Sequence, residues 1–205
     1  AMISALTSSF EVSAAAHLPA AVAARSAVVR VSSSAGAVTA IRVEGPAPSV
    51  ESRCASLKGL LAPSGDLDEL HTSNSEILWR EIRDAAFYWD RLEAQIWRVS
   101  VPPSEGARVA EKILQTLPGQ VFYDWGGGLL WLALDPLPDA GCNTVRGALR
   151  ECGGHATLIR AADDIRSSVA VFEPHSGPLG PLAARIKNSF DPNGVLNPGR
   201  MDPDW

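Results

Sequence analysis

Gln120-Val-Phe-Tyr-Asp-Trp-Gly-Gly-Gly-Leu-Leu-Trp-Leu-Ala-Leu134 reads as two strands, 120–125 and 129–134, joined by Gly126-Gly127-Gly128. β-rich apolar and aromatic residues stand on both sides of a glycine tract, the pattern of a hairpin with a flexible tip. Working outward, 95–101 is a further strand, stopped by Pro102-Pro103. A helix follows, opened by Ser104, with Val109, Ile113, Leu114 and Leu117 as its apolar stripe and Pro118-Gly119 at its end. Downstream, Asn143 opens a helix carrying Val145, Ala148, Leu149 and Cys152, and Gly153-Gly154 closes it before a strand at 155–160. The order β-α-β-β-α-β is that of the ferredoxin-like split unit.

The first half repeats this order without its last strand. Strands are expected at 10–16, 28–32 and 38–44, a short helix from Pro19 to Arg25, and a longer one at 49–61. The stretch 63–70 is a loop by its Pro, Gly and Asp content. Ser73 and Glu76 have capping-box spacing ahead of a helix with Leu78, Ile82, Ala85 and Trp89 on one side. The expected fold is α+β, with ferredoxin-like halves forming one large, mainly antiparallel sheet of about seven strands and helices on one face. Little is left to cover the other face except the C-terminal segment, so that face is expected to be polar or to bind something.

Composition excludes several classes. The chain has 205 residues, 46% of them hydrophobic, and a net charge of −5. No basic block is longer than two residues, which speaks against nucleic acid as a partner. No apolar run is long enough to cross a bilayer, and the N-terminus lacks the layout of a signal peptide. Ala1 before Met2 has the look of a cloning remnant. The cysteines, Cys54, Cys142 and Cys152, are odd in number and lack a Cys-x-x-Cys pair, which implies a reducing, cytoplasmic setting and no metal site. His17, His71, His155 and His175 are scattered without ligand spacing.

Few residues carry chemistry by pattern. The glycine tract lies between two strands, where no helix N-terminus backs it, so it is a poor phosphate cradle. No nucleophile with a base can be assembled, and no catalytic residue is assigned. Arg98 lies mid-strand with Ile96 and Ser100, opposite Trp97, Val99 and Val101. It is either a fork for a carboxylate or half of an internal ion pair. Trp125 and Trp131 border the glycine tract and either line a pocket or pack an edge.

The chain end is more specific. A helix at 178–190, with Leu179, Leu182, Ala183, Ile186 and Phe190 in register, runs into Phe190-Asp-Pro-Asn-Gly-Val-Leu-Asn-Pro-Gly-Arg-Met201. Two turns flank Val195-Leu196 and hold Asn197 and Arg200 near the terminus. This ending resembles the C-terminal signature of FAD-linked oxidases of the vanillyl-alcohol oxidase type. Ser13-Ala-Ala-Ala-His-Leu-Pro19, Trp97-Arg-Val-Ser-Val-Pro-Pro103, Tyr123-Asp-Trp-Gly-Gly-Gly128 and Gly153-Gly-His-Ala-Thr157 resemble the FAD-binding subunit of bacterial glycolate oxidases.

The resemblance implies the C-terminal cap domain of such a subunit. Residues 1–9 would be a remnant and junction segment, 10–177 the cap, and 178–205 the helix and flavin-approaching tail. It implies FAD in the full-length subunit but not in this fragment, which is expected to be inactive alone. Asn197 and Arg200 would approach the flavin, and Arg98 and Trp125 the substrate, a small 2-hydroxy acid. The implied partners are a missing N-terminal FAD-binding domain and sister flavoprotein and iron–sulfur subunits. The implied place is the cytoplasm, with any membrane association coming through the complex. The Gly-His-x-x-Asp-Gly-Asn metal motif of several relatives is missing, because Gly154-His155 continues as Ala-Thr-Leu-Ile. The competing reading is a non-enzymatic regulatory or assembly module built from two ferredoxin-like units.

Overall fold

The computed structural model describes residues 1–174 and 177–201; His175 and the end of the tail at 202–205 lie outside the described residues. The strands are β1 (Ala14–Leu18), β2 (Val38–Arg42), β3 (Gln95–Ser100), β4 (Gly119–Asp124), β5 (Leu129–Leu134) and β6 (His155–Arg160). The helices are α1 (Met2–Leu6), α2 (Ala20–Ala23), α3 (Val29–Ser32), α4 (Ala47–Leu61), α5 (Thr72–Arg83), α6 (Gly106–Leu114), α7 (Cys142–Leu149), α8 (Asp163–Ser168) and α9 (Leu179–Phe190). The strands form one sheet in the order β2-β1-β4-β5-β3-β6, with every neighbouring pair antiparallel. The α+β class and the single antiparallel sheet are as expected, with six strands in place of seven.

Alternation along the strands sorts the side chains into two faces. On the first, Trp97, Val99, Val121, Leu130, Leu132 and Leu158 meet Val109 and Ile113 of α6 and Val145 and Ala148 of α7. Full burial of a side chain the size of Val109 or Ile113 contributes about 1.5–3 kcal/mol. On the second face, Ala16, Leu18, Ile96, Phe122 and Ala133 meet Val22 of α2, Val31 of α3, Leu78 and Ile82 of α5, and Phe87 and Tyr88. Helices therefore cover parts of both faces, and the expectation of helices on one face is corrected. The reason lies in α5, whose Leu78 and Ile82 are one turn apart and both buried against the sheet. A smaller cluster joins Ala5 of α1 to Leu57 and Leu61 of α4, with Phe10, Val12, Ile41 and Val43 packed on it.

The missing strand is 28–32, which forms α3. Val28 and Val31 are both buried in the second-face core, whereas Val29 is 74% exposed. A helical turn puts residues three apart on one side; a strand would send Val28 and Val31 to opposite faces. The entry is fixed by Ser26, whose Oγ accepts from the Val28 amide at 3.1 Å. The first strand starts at Ala14 and not at Phe10, because Phe10 and Val12 pack into the small cluster. The expected caps do not form. The α5 helix begins at Thr72, one residue ahead of Ser73, and α6 and α7 begin after Glu105 and Gly141 without side-chain caps.

The glycine tract is a packed turn and not a flexible tip. Residues Trp125–Gly127 form a 3-10 turn in which Gly126 and Gly127 are buried with φ of +67° and +102°. A Cβ on Gly126 would stand 2.4 Å from Leu6 Cδ1, and one on Gly106 would stand 2.0 Å from the Gly127 carbonyl oxygen. The turn is thus clamped between α1 and the start of α6.

Candidate functional site

A cleft of about 550 Å³ opens between α5 and the second face of the sheet. Its floor is Arg98 of β3, Leu129 and Trp131 of β5, Asp124 of β4, Ala14 of β1 and Arg42 of β2; its wall is Glu76, Trp79, Arg80 and Arg83 of α5. The α5 helix supplies this wall because its buried stripe turns the adjoining side chains over the sheet. Glu81 ties the helix down, accepting from Ser26 Oγ at 2.6 Å and from the Ala27 amide at 2.7 Å.

Arg98 and Trp125 come together at this cleft. The Arg98 guanidinium carbon lies 5.1 Å from the centroid of the Trp125 ring, within cation–π range. Trp125 is 59% exposed at the rim, with a positive φ of 51°. That backbone conformation is strained for a tryptophan, and it aims the ring across the cleft mouth. Among the described residues Arg98 forms no ion pair, so the internal salt bridge considered from the sequence is absent there. Arg42 and Arg83 hold Glu44 and Asp84 at 2.8 and 2.6 Å. Arg80 forms no ion pair among the described residues. Trp131 stacks on Phe122 with centroids 6.5 Å apart, which fixes its plane from beneath.

Asp124, Trp79 and Arg80 line the cleft and were not candidates from the sequence. Burial pushes the Asp124 carboxyl above the usual carboxylate range, partly offset by a hydrogen bond from the Trp125 amide at 2.7 Å. Parity along β4 could have found it, since Asp124 shares a face with Phe122. Arg80 and Trp79 carried no comparable signal, because α5 is remote in sequence from the strands it faces.

Asn197 and Arg200 do not line the cleft. They sit exposed in the tail, where Asn197 has a φ of 47° and its carbonyl accepts from the Arg200 amide at 3.2 Å. The bend before them is built on Asp191, which is 4% exposed and accepts from the amides of Val195 and Leu196 at 3.0 and 2.8 Å. Lys187 bonds the same carboxylate and the Leu196 carbonyl. The Lys187 ammonium, first, and these amides hold the Asp191 carboxyl below the usual range. The α9 helix has no buried residue, and Leu179, Leu182, Ile186 and Phe190 lie exposed along it.

Among the described residues no group of three or more His, Cys, Asp or Glu is placed to hold a metal ion. Among the same residues no helix is long and apolar enough to cross a membrane.

Over 123 residues, 60% of its length, the chain is 34% identical to the glycolate oxidase subunit GlcE of Escherichia coli (strain K12). The chain is similar to a glycolate oxidase subunit. The match spans 30% of the length of GlcE. No family model matches the chain, and no solved structure matches it.

Proposed function

We propose that residues 10–177, with the helix and tail of 178–205, form the cap portion of a glycolate-oxidase-type flavoprotein subunit. The observation that carries this reading is the 34% identity to GlcE. In the full-length subunit FAD supplies the hydride-accepting chemistry for oxidation of glycolate to glyoxylate. This chain's own share is binding and orientation. Arg98 takes the substrate carboxylate as a two-toothed fork, with Trp125 holding its guanidinium flat. Asp124 shapes the approach, its carboxylate accepting from the Trp125 amide and so bracing the turn that carries the indole.

The tail and α9 suit a role at a junction. The helix bears an apolar stripe with no partner among the described residues, and Asn197 and Arg200 stand exposed beyond a turn that Asp191 holds in shape. Such a stripe fits the remainder of a longer polypeptide, which would carry the flavin and bring Asn197 and Arg200 to it. Sister subunits, including an iron–sulfur protein as electron acceptor, complete the proposed assembly, and its proposed place is the cytoplasm.

The test uses the full-length subunit in its complex. Asn197→Ala and Arg200→Ala are each expected to lower flavin occupancy, measured by absorbance of the purified complex, and Arg98→Met to raise the KM for glycolate. Full occupancy in both tail variants removes the flavin-approach role. A full-length subunit that binds no flavin in the wild-type complex overturns the reading as a whole.

A further inference from the structure

We infer that the cleft between α5 and the sheet is built for a carboxylate that carries a planar ring, a ligand larger than glycolate. The inference rests on the reading of Arg98 as a carboxylate fork and departs from it only in the size and shape of what the fork holds.

Size is the first argument. The cleft measures about 550 Å³, inside the range of roughly 300–1,000 Å³ typical of sites for much larger small molecules. A two-carbon acid fills on the order of a tenth of such a space.

The lining is the second argument. Three of the chain's six tryptophans, Trp79, Trp125 and Trp131, meet in this one cleft. Each has a different backing. Trp125 lies against Arg98, Trp131 against Phe122, and Trp79 beneath Arg42 at 5.8 Å. Indoles held in fixed planes contribute most to a flat partner, by stacking. They come from a helix, a hairpin turn and a strand; Trp79 and Trp131 rest one side on the second-face core and turn the other to the cleft, whereas Trp125 is 59% exposed and has no core contact among the described residues to account for its place.

Charge is the third argument. Of the four cleft arginines, Arg42 and Arg83 hold acids of their own, while Arg80 and Arg98 hold none among the described residues. Arg98 is half-buried on the sheet floor and Arg80 exposed on the helix wall. A cation on the floor beside fixed indoles matches a ligand with one anionic end and one aromatic end.

The experiment compares glycolate, phenylglycolate (mandelate) and benzyl alcohol on this chain, by calorimetric titration at fixed ionic strength with tryptophan emission as a second readout. Mandelate is expected to bind at least about tenfold more tightly than glycolate and to quench emission, the gain expected of one stacked ring. Benzyl alcohol is expected not to bind. Arg98→Met is expected to abolish mandelate binding, and Trp79→Leu to bring it down to the glycolate level, with circular dichroism confirming that each variant is folded. Equal affinity for mandelate and glycolate overturns the ring inference and leaves the carboxylate fork standing. Benzyl alcohol binding as well as mandelate overturns it by showing that charge is not read. Binding of neither acid overturns the inference and the fork together.

Discussion

Trp97 and Arg98 are neighbours on β3 and point to opposite faces, so substituting each in turn separates fold from site. Trp97 is fully buried, and its Nε1 donates to the carbonyl of Ala140, itself fully buried, at 2.8 Å. In Trp97→Phe that carbonyl loses its partner in a dry core, at a cost of about 1–3 kcal/mol. The smaller ring also leaves roughly 40 Å³ unfilled, worth about 1 kcal/mol at ~24 cal/mol per Å³. The sum is about 3 kcal/mol, which for a chain of this length lowers Tm by about 6–12 °C. Arg98→Met keeps an apolar stem on the sheet and breaks no ion pair. It loses the stack on Trp125, worth about 0.5–1 kcal/mol at an open site, so Tm falls by no more than about 2–4 °C. Thermal melts by circular dichroism and carboxylate titration on the same samples give the two readouts. Trp97→Phe should melt early and bind as the wild type does; Arg98→Met should melt nearly as the wild type does and fail to bind. An Arg98→Met protein as damaged as Trp97→Phe refutes the assignment of Arg98 to a ligand. A folded Trp97→Phe protein that has lost binding refutes the division of β3 into two faces.

Three further substitutions probe the supports of the cleft and tail. Gly106→Ala pushes a methyl to 2.0 Å from the Gly127 carbonyl oxygen and should destabilise the chain by about 1–3 kcal/mol, read as a lower urea midpoint with an unchanged slope. Glu81→Ala leaves the Ser26 hydroxyl and the Ala27 amide without their acceptor and should cost about 1–2 kcal/mol, with weaker carboxylate binding as the α5 wall loosens. The Asp191 carboxyl titrates below its ordinary value when folded, so its clasp is fully formed above the ordinary carboxylate range and is lost as pH falls through the lowered value. Hydrogen exchange at the Val195 and Leu196 amides should be slow at neutral pH, quicken over that acidic window, and be fast at all pH in Asp191→Asn; amides equally exposed in wild type and variant at neutral pH would remove the clasp.

The second half of the fold was legible because its signals agree at every level. Alternating apolar residues mark β3 to β6, and Pro102-Pro103, Pro118-Gly119 and Gly153-Gly154 cut the segments where the chain turns. The first half misled where local preference and tertiary contact diverge. Val28-Val-Arg-Val-Ser32 has strand composition, yet the core needs Val28 and Val31 on one side, and a helical turn alone supplies that. The three expected caps failed for a similar reason: α5, α6 and α7 start where packing allows, one or more residues away from the best capping side chain. At the site, Arg98 was legible from its position on a strand, and the partnership with Trp125 was not, since 27 positions separate them and a buried glycine turn sets the angle.

The two faces of the sheet differ in what they tolerate. The first face carries apolar side chains between the strands and the helices α6 and α7, so a charge placed there without a partner costs roughly 3–5 kcal/mol. The second face is apolar only where α2, α3 and the buried stripe of α5 lie on it. Where that cover ends, the same strands present Arg42, Arg98 and Asp124 beside Trp131. A fold has no structural need for two arginines and a half-buried acid on the floor of an open cleft, because apolar residues there would extend the core at lower desolvation cost. Their presence beside three tryptophans supports the proposal that this surface exchanges water for a ligand. The exposed stripe of α9 makes the complementary case at the other end of the chain. Its residues, Leu179, Leu182, Ile186 and Phe190, recur at helical spacing and Phe190 is 84% exposed, so the helix carries the pattern of a buried element with the buried side left open. On the proposed reading, the walls of the cleft come from this chain itself, whereas the open stripe of α9 is where the rest of a longer subunit would pack.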